Sequence, residues 1–137
     1  MVVDSSALVA IVFNEPEAEQ FRIAVSEATI CFISAASVLE ASMVVEGRRG
    51  DQAGRALDAA LHDGDIEVVP VTLEQIDVAR SAFRQFGRGR HKAGLNFGDC
   101  FSYALAKVSG EPLLHKGNDF SQTDLATVSL PPSPQNT

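Results

Sequence analysis

Short apolar runs alternate along the chain with longer stretches in which apolar residues recur every three or four positions. The first period marks strands and the second amphipathic helices. Residues 1–3 are apolar and stop at Asp4. Ser5 or Ser6 is placed to cap a helix through Phe13, and Pro16 suits the first turn of a second helix reaching about Ala28. Residues 29–33 form a β-branched and aromatic run, a second strand. Ser34 then caps a helix to about Glu46, which Gly47 and the turn Arg48-Arg49-Gly50 terminate. A further helix opens at Asp51 and runs to His62, with Gly64 beyond it.

Residues 66–69 predict a third strand, stopped by Pro70, and Thr72 with Gln75 fits a capping box for a helix to about Gln85. The stretch "FGRGRHKAG" is a basic, glycine-rich loop. Asn96 is placed to cap a helix through Lys107, with Phe97, Cys100 and Phe101 expected in the interior. Residues 113–115 predict a fourth strand and 126–129 a short fifth. Strands separated by helices, without hairpin signals, imply right-handed crossovers and a parallel sheet covered on both faces. The expected fold is therefore α/β, a three-layer α/β/α sandwich with a central parallel sheet of about five strands. It occupies residues 1–130 as one domain, and the proline-rich tail "PPSPQNT" at 131–137 is expected to be disordered.

Composition narrows the function. At 137 residues, 45% hydrophobic and 21% charged, the chain has the make-up of one ordinary soluble domain. The N-terminus has no basic region ahead of its apolar run, and residues 7–13 are too few to cross a bilayer. Cys31 and Cys100 lie in apolar surroundings and read as reduced core thiols, so a cytosolic protein without membrane contact is expected. A net charge of −7 argues against a nonspecific nucleic-acid coat. Yet no acid stands between Asp77 and Asp99, whereas Arg80, Arg84, Arg88, Arg90 and Lys92 all do, five of the eleven basic residues. Alone this is a solvated helix face and loop; it is also available as a patch that steers phosphates.

Four acids fall where an α/β sheet gathers its ligands, beyond the carboxyl ends of strands. Asp4 follows the first strand, Glu40 lies on the helix leaving the second, and Asp119 follows the fourth; Asp99 joins them if its helix starts at that edge. Each has an ordinary structural explanation, as a cap, a dipole complement or an Asx-turn. Together they are harder to explain, because two carboxylates about 4 Å apart at an effective dielectric near 20 repel by about 4 kcal/mol. Such a cluster needs raised proton affinity or a cation. No cysteine or histidine pair has zinc spacing, and hard oxygen donors select Mg²⁺ or Mn²⁺. That chemistry suits phosphodiester hydrolysis.

Four stretches in order, "VVDSSALVAI", "SAASVLEAS", "GLNFGDCFSYALAK" and "PLLHKGNDFSQTDL", resemble the PIN-domain ribonucleases, and among them the VapC toxins of type II toxin–antitoxin systems. The resemblance spans residues 1–130. It implies an Mg²⁺-dependent endoribonuclease, a small antitoxin that covers the active site, and commonly a homodimer. Carried over by motif, Asp4 and Asp99 match the principal metal ligands, Glu40 the acid that holds the metal or its water, and Asp119 the more variable fourth acid. Ser6 matches a small hydroxyl residue supporting the site, and Asn96 stands beside Asp99 as its helix cap. Arg84, Arg88, Arg90 and Lys92 are the expected RNA contacts; Lys92 departs from the proline of the family pattern, which affects only the loop.

Two other functions compete. A phosphoacceptor signalling domain shares the fold and the acids, but needs paired acids early in the chain and an aspartate on its central strand, where this sequence has "VVDSS" and "VVP". A catalytically silent PIN-like binding module predicts eroded acids, and all four are present.

Overall fold

The structure, a computed structural model, describes residues 1–130. Four parallel strands set the frame: β1 (Val2–Val3), β2 (Cys31–Ser34), β3 (Ile66–Val69) and β4 (Leu113–Leu114), in the order β3-β2-β1-β4. Val2 is paired with Phe32 on one side and Leu113 on the other, so β1 lies inside the sheet. Six helices intervene: α1 (Ser5–Val12), α2 (Ala18–Glu27), α3 (Ala35–Arg49), α4 (Asp51–Asp63), α5 (Leu73–Phe86) and α6 (Phe97–Ser109). A 3₁₀ turn at Phe120–Gln122 follows β4.

The strands alternate their side chains between two cores, as the pleat requires. Val3, Ile33 and Leu114 enter a core with Leu8, Phe21, Val45 and Leu57, beneath α1 to α4. Val2 and Leu113 enter the opposite core with Ala82, Phe86, Tyr103 and Leu105, beneath α5 and α6. Burial on both faces explains the wholly apolar β1 and β4, whereas β3, at the edge of the sheet, carries exposed Glu67. Each fully buried Leu, Ile or Phe contributes about 1.5–3 kcal/mol.

The three-layer α/β architecture agrees with the sequence expectation, while several boundaries differ. Among the described residues the sheet has four strands, not five. Of residues 126–129, Thr127 alone bridges to Leu113, because β4 is two residues long and leaves one position to pair. Asp4, rather than Ser5 or Ser6, caps α1: its backbone is extended and its carboxylate accepts from the Ser6 amide. Pro16 lies in the turn before α2. Gly47 stays inside α3, which continues to Arg49, and Gly50 at φ 75° ends it. Phe97, which opens α6, is 81% exposed, whereas Cys100 one turn on is buried and Phe101 half-buried. The tail at 131–137 lies outside the described residues. No described helix is long and apolar enough to cross a membrane.

Candidate active site

In an open parallel sheet the ligand crevice lies beyond the carboxyl ends of the strands, where strand order reverses. Here β2 and β3 extend from one side of β1 and β4 from the other, so the reversal falls between β1 and β4. Asp4 immediately follows β1. It is 2% exposed, and both carboxylate oxygens are held. Oδ2 accepts from the Ser6 amide at 3.0 Å and the Ser6 hydroxyl at 2.6 Å. Oδ1 accepts from the Ser102 hydroxyl on α6 at 2.5 Å, and Ser102 in turn lies 3.2 Å from Ser37 on α3. Ser6 Oγ also accepts from the Lys116 amide at 3.0 Å, joining the segments after β1 and β4.

Asp99 occupies the third position of α6, in a reciprocal capping box with Asn96. Asn96 Oδ1 accepts from the Asp99 amide at 2.9 Å, and Asp99 Oδ2 accepts from the Asn96 amide at 3.0 Å. Burial pushes the Asp99 carboxyl up from its ordinary 3.8 to about 6, against the Asn96 hydrogen bond, and the charges of Asp4, Asp119 and Glu40 raise it further. Three acids from distant segments thus lie close enough to Asp99 to act on it.

Glu40, one and a half turns into α3, accepts from the Ser5 hydroxyl at 2.6 Å through Oε1. Its carboxylate lies against Gly98, where any added Cβ would overlap it. Asp119 is exposed, just before the 3₁₀ turn. The chain beyond it is fastened to α6 by Asp124, which accepts from the Tyr103 hydroxyl at 2.6 Å and pairs with Lys107 at 2.8 Å.

The acids share an edge without forming a closed cage. Among the described residues no three acid, histidine or cysteine side chains are grouped to hold one ion, because Asp4 and Glu40 are turned onto serines and Asp99 onto its own cap. The donor set still fits a hard divalent cation: its ligating atoms are carboxylate oxygens, and Gly98 leaves the notch that admits Glu40 to the start of α6.

The basic residues lie apart from this cluster. Arg84, Arg88, Arg90 and Lys92 are all exposed, on α5 and the loop after it, and the Arg90 guanidinium lies 5.5 Å from the Phe83 ring centre. Lys116 turns from the acids to pair with Glu15 and Glu17. His115, just past β4, stacks edge-on to Phe120; burial holds it below its ordinary range, against Asp4, the Lys116 backbone hydrogen bond and Asp119. His91 accepts from the Ala93 amide and shapes its own loop.

Sequence reasoning missed Ser102, Ser37, Ser5 and Gly98. Ser102 was signalled by its place, a hydroxyl three residues after Asp99 on an otherwise apolar helix face. Gly98 was signalled by glycine in the first turn of a helix, where nothing local requires one.

The sequence profile of the PIN domain matches residues 1–125, and the chain belongs to that family. Within it, the chain stands with the VapC ribonucleases. It is 55% identical over 131 residues to Ribonuclease VapC30 of Mycobacterium tuberculosis, covering 96% of this chain and 100% of that one. A Ribonuclease VapC of Mycolicibacterium smegmatis is 54% identical over 128 residues, covering 93% and 99%. In fold, the crystal structure of M. tuberculosis VapC20, described as a toxin that cleaves the sarcin-ricin loop, superposes with a TM-score of 0.78 at 20% identity, over 95% of this chain and 98% of that one. VapBC2 of Rickettsia felis, solved on a DNA fragment from its promoter, gives 0.73 at 14% identity over the same shares.

Proposed function

We propose that this chain is the toxin of a toxin–antitoxin pair, an endoribonuclease that hydrolyses RNA phosphodiester bonds with Mg²⁺ or Mn²⁺ at the acid edge. The observation that carries the reading is the placement of Asp4, Glu40 and Asp99 at one edge of a PIN-domain fold, with Asp4 held by Ser6 and Ser102 and Glu40 seated against Gly98 beside Asp99. The identity of more than half to ribonucleases over nearly the whole chain supports the same activity.

Asp4 and Asp99 would be the principal ligands of the cation, with Glu40 and Asp119 beside them. When bound, such an ion supplies Lewis acidity at the scissile phosphate and makes water more acidic. The protein's own part is to hold and aim. Ser6 and Ser102 fix the Asp4 carboxylate in one rotamer, and Asn96 fixes Asp99. Glu40, oriented by Ser5, and Asp119 orient the attacking water and take its proton. RNA arrives over Arg84, Arg88, Arg90 and Lys92. With water as nucleophile, the products carry 5′-phosphate and 3′-hydroxyl ends.

The solved VapBC relative supports a cognate VapB-like antitoxin as partner. An arginine from it would suit the acid edge, since a guanidinium binds paired carboxylates through two parallel hydrogen bonds. A homodimer and a cytosolic setting belong to the same reading. Incubating the purified chain with labelled RNA, with Mg²⁺ or with excess EDTA, tests it. Internal cuts that need the metal and vanish in Asp4→Asn are expected. A mobility shift without cleavage would favour a binding module, and 2′,3′-cyclic phosphate ends would contradict water as the nucleophile.

A further inference from the structure

Between α5 and the first turns of α6 runs an open groove of about 650 Å³, separate from the acids, of which the proposed RNA path uses only Arg84 and Arg90. Its lining combines Arg80, Arg84 and Arg90 with the rings of Phe83, Phe97 and Phe101, and no acidic side chain borders it. In a chain of net charge −7, that is a local reversal of sign. The rings are presented, not packed away. Phe97 is 81% exposed and Phe83 39%, Phe97 stands edge-on to Phe101 at 4.9 Å, and Arg90 lies over Phe83. An exposed phenylalanine at the first position of a helix contributes nothing to the core beneath. The groove also reaches the acids through the backbone: Phe97 and Asp99 share one helical turn, Phe97 facing the groove and Asp99 the acid edge.

We infer that this groove is a stacking subsite for unpaired nucleotides flanking the scissile phosphate. A base lies on Phe97, Arg90 covers Phe83, and Arg80, Arg84 and Arg90 neutralise the neighbouring phosphates. Charge complementarity selects the occupant: three guanidiniums and no carboxylate fit a polyanion, and aromatic faces between cations are how single strands are held without reading their sequence. The inference rests on the ribonuclease reading and adds to it the place where a nucleotide beside the scissile phosphate is held.

The test uses full-length Asp4→Asn protein, which does not cut, and a fluorescent single-stranded oligoribonucleotide. Phe97→Ala is expected to weaken binding about tenfold, in the range of losing one stacked base, while Phe97→Tyr retains it. The same oligonucleotide made abasic throughout should bind both proteins equally weakly, since the ring then has no partner. In the cleaving protein Phe97→Ala should raise KM on single strands more than it lowers kcat. Unchanged binding by Phe97→Ala, or an equal loss on normal and abasic RNA, overturns the subsite. A shift of Phe97→Ala to a smaller species in sedimentation, with RNA affinity intact, would assign the groove to a second copy of the chain. Failure of wild-type protein to cut any RNA would instead overturn the ribonuclease reading, so the two failures are distinguishable.

Discussion

At the scale of single residues the acid edge is a place where stability is given up. The folded Asp99 carboxyl holds its proton more tightly than the same group does in the unfolded chain, about 6 against 3.8. The stability linked to that proton is present below pH about 4 and is lost as pH rises through about 6. After discounting for solvent at a half-buried carboxyl, about 1–2 kcal/mol is involved. Asp99→Asn removes the charge but keeps an oxygen for the Asn96 amide. Without divalent ions it should unfold at higher urea than wild type at pH 7, with the difference gone near pH 4, and it should not cleave RNA. If it unfolds earlier than wild type at pH 7, Asp99 is chiefly a cap. Ser102→Ala leaves one oxygen of buried Asp4 without its donor, which costs about 1–3 kcal/mol. Urea melts should show that loss together with reduced kcat, whereas Ser102→Thr, which keeps the hydroxyl, should recover much of both.

Elements explain why these residues meet and how much of that was legible. Caps written in local sequence were readable: Ser34, Thr72 and Asn96 each accept from a first-turn amide, although Gln75 turns its side chain to the Pro70 carbonyl instead of closing the expected box with Thr72. So was the alternation of strand and helix, because short apolar or β-branched runs alternate with longer stretches of helical period. What escaped depended on partners distant in sequence. Ser102 meets Asp4 across ninety-eight positions, and Gly98 is small because of Glu40, on another helix. The exposure of Phe97 was equally hidden, since periodicity gives a helix's face but not which first-turn residue the core covers. That four acids would share an edge followed from motif order; that serines and a cap would hold them apart did not. Gly98→Ala makes a sharp test at this scale. Alanine favours a helix, and the atoms in its way are the far end of a flexible glutamate, so the fold should yield at Glu40. The melting temperature should change by no more than a few degrees while kcat falls on the order of a hundredfold, as for a catalytic group misplaced by about an ångström.

For the whole molecule, charge is divided: a net −7 overall, with five cations between Asp77 and Asp99. Association with RNA should therefore weaken steeply with salt. If all five engage phosphates, log K against log salt should have a slope on the order of −3, from about 0.7 per contact on a single strand. Reversing Arg84 and Arg88 to glutamate should flatten it, and an unchanged slope would move the RNA path elsewhere. The clasp of Tyr103 and Lys107 on Asp124 matters at this scale too. Through it α6 acts as a common strut: it carries Asp99, grips Asp4 by way of Ser102, and tethers the segment that follows Asp119. Tilting that one rod would misalign three of the four acids together, so an inhibitor need only lean on α6 to disarm the enzyme without ever entering its pocket.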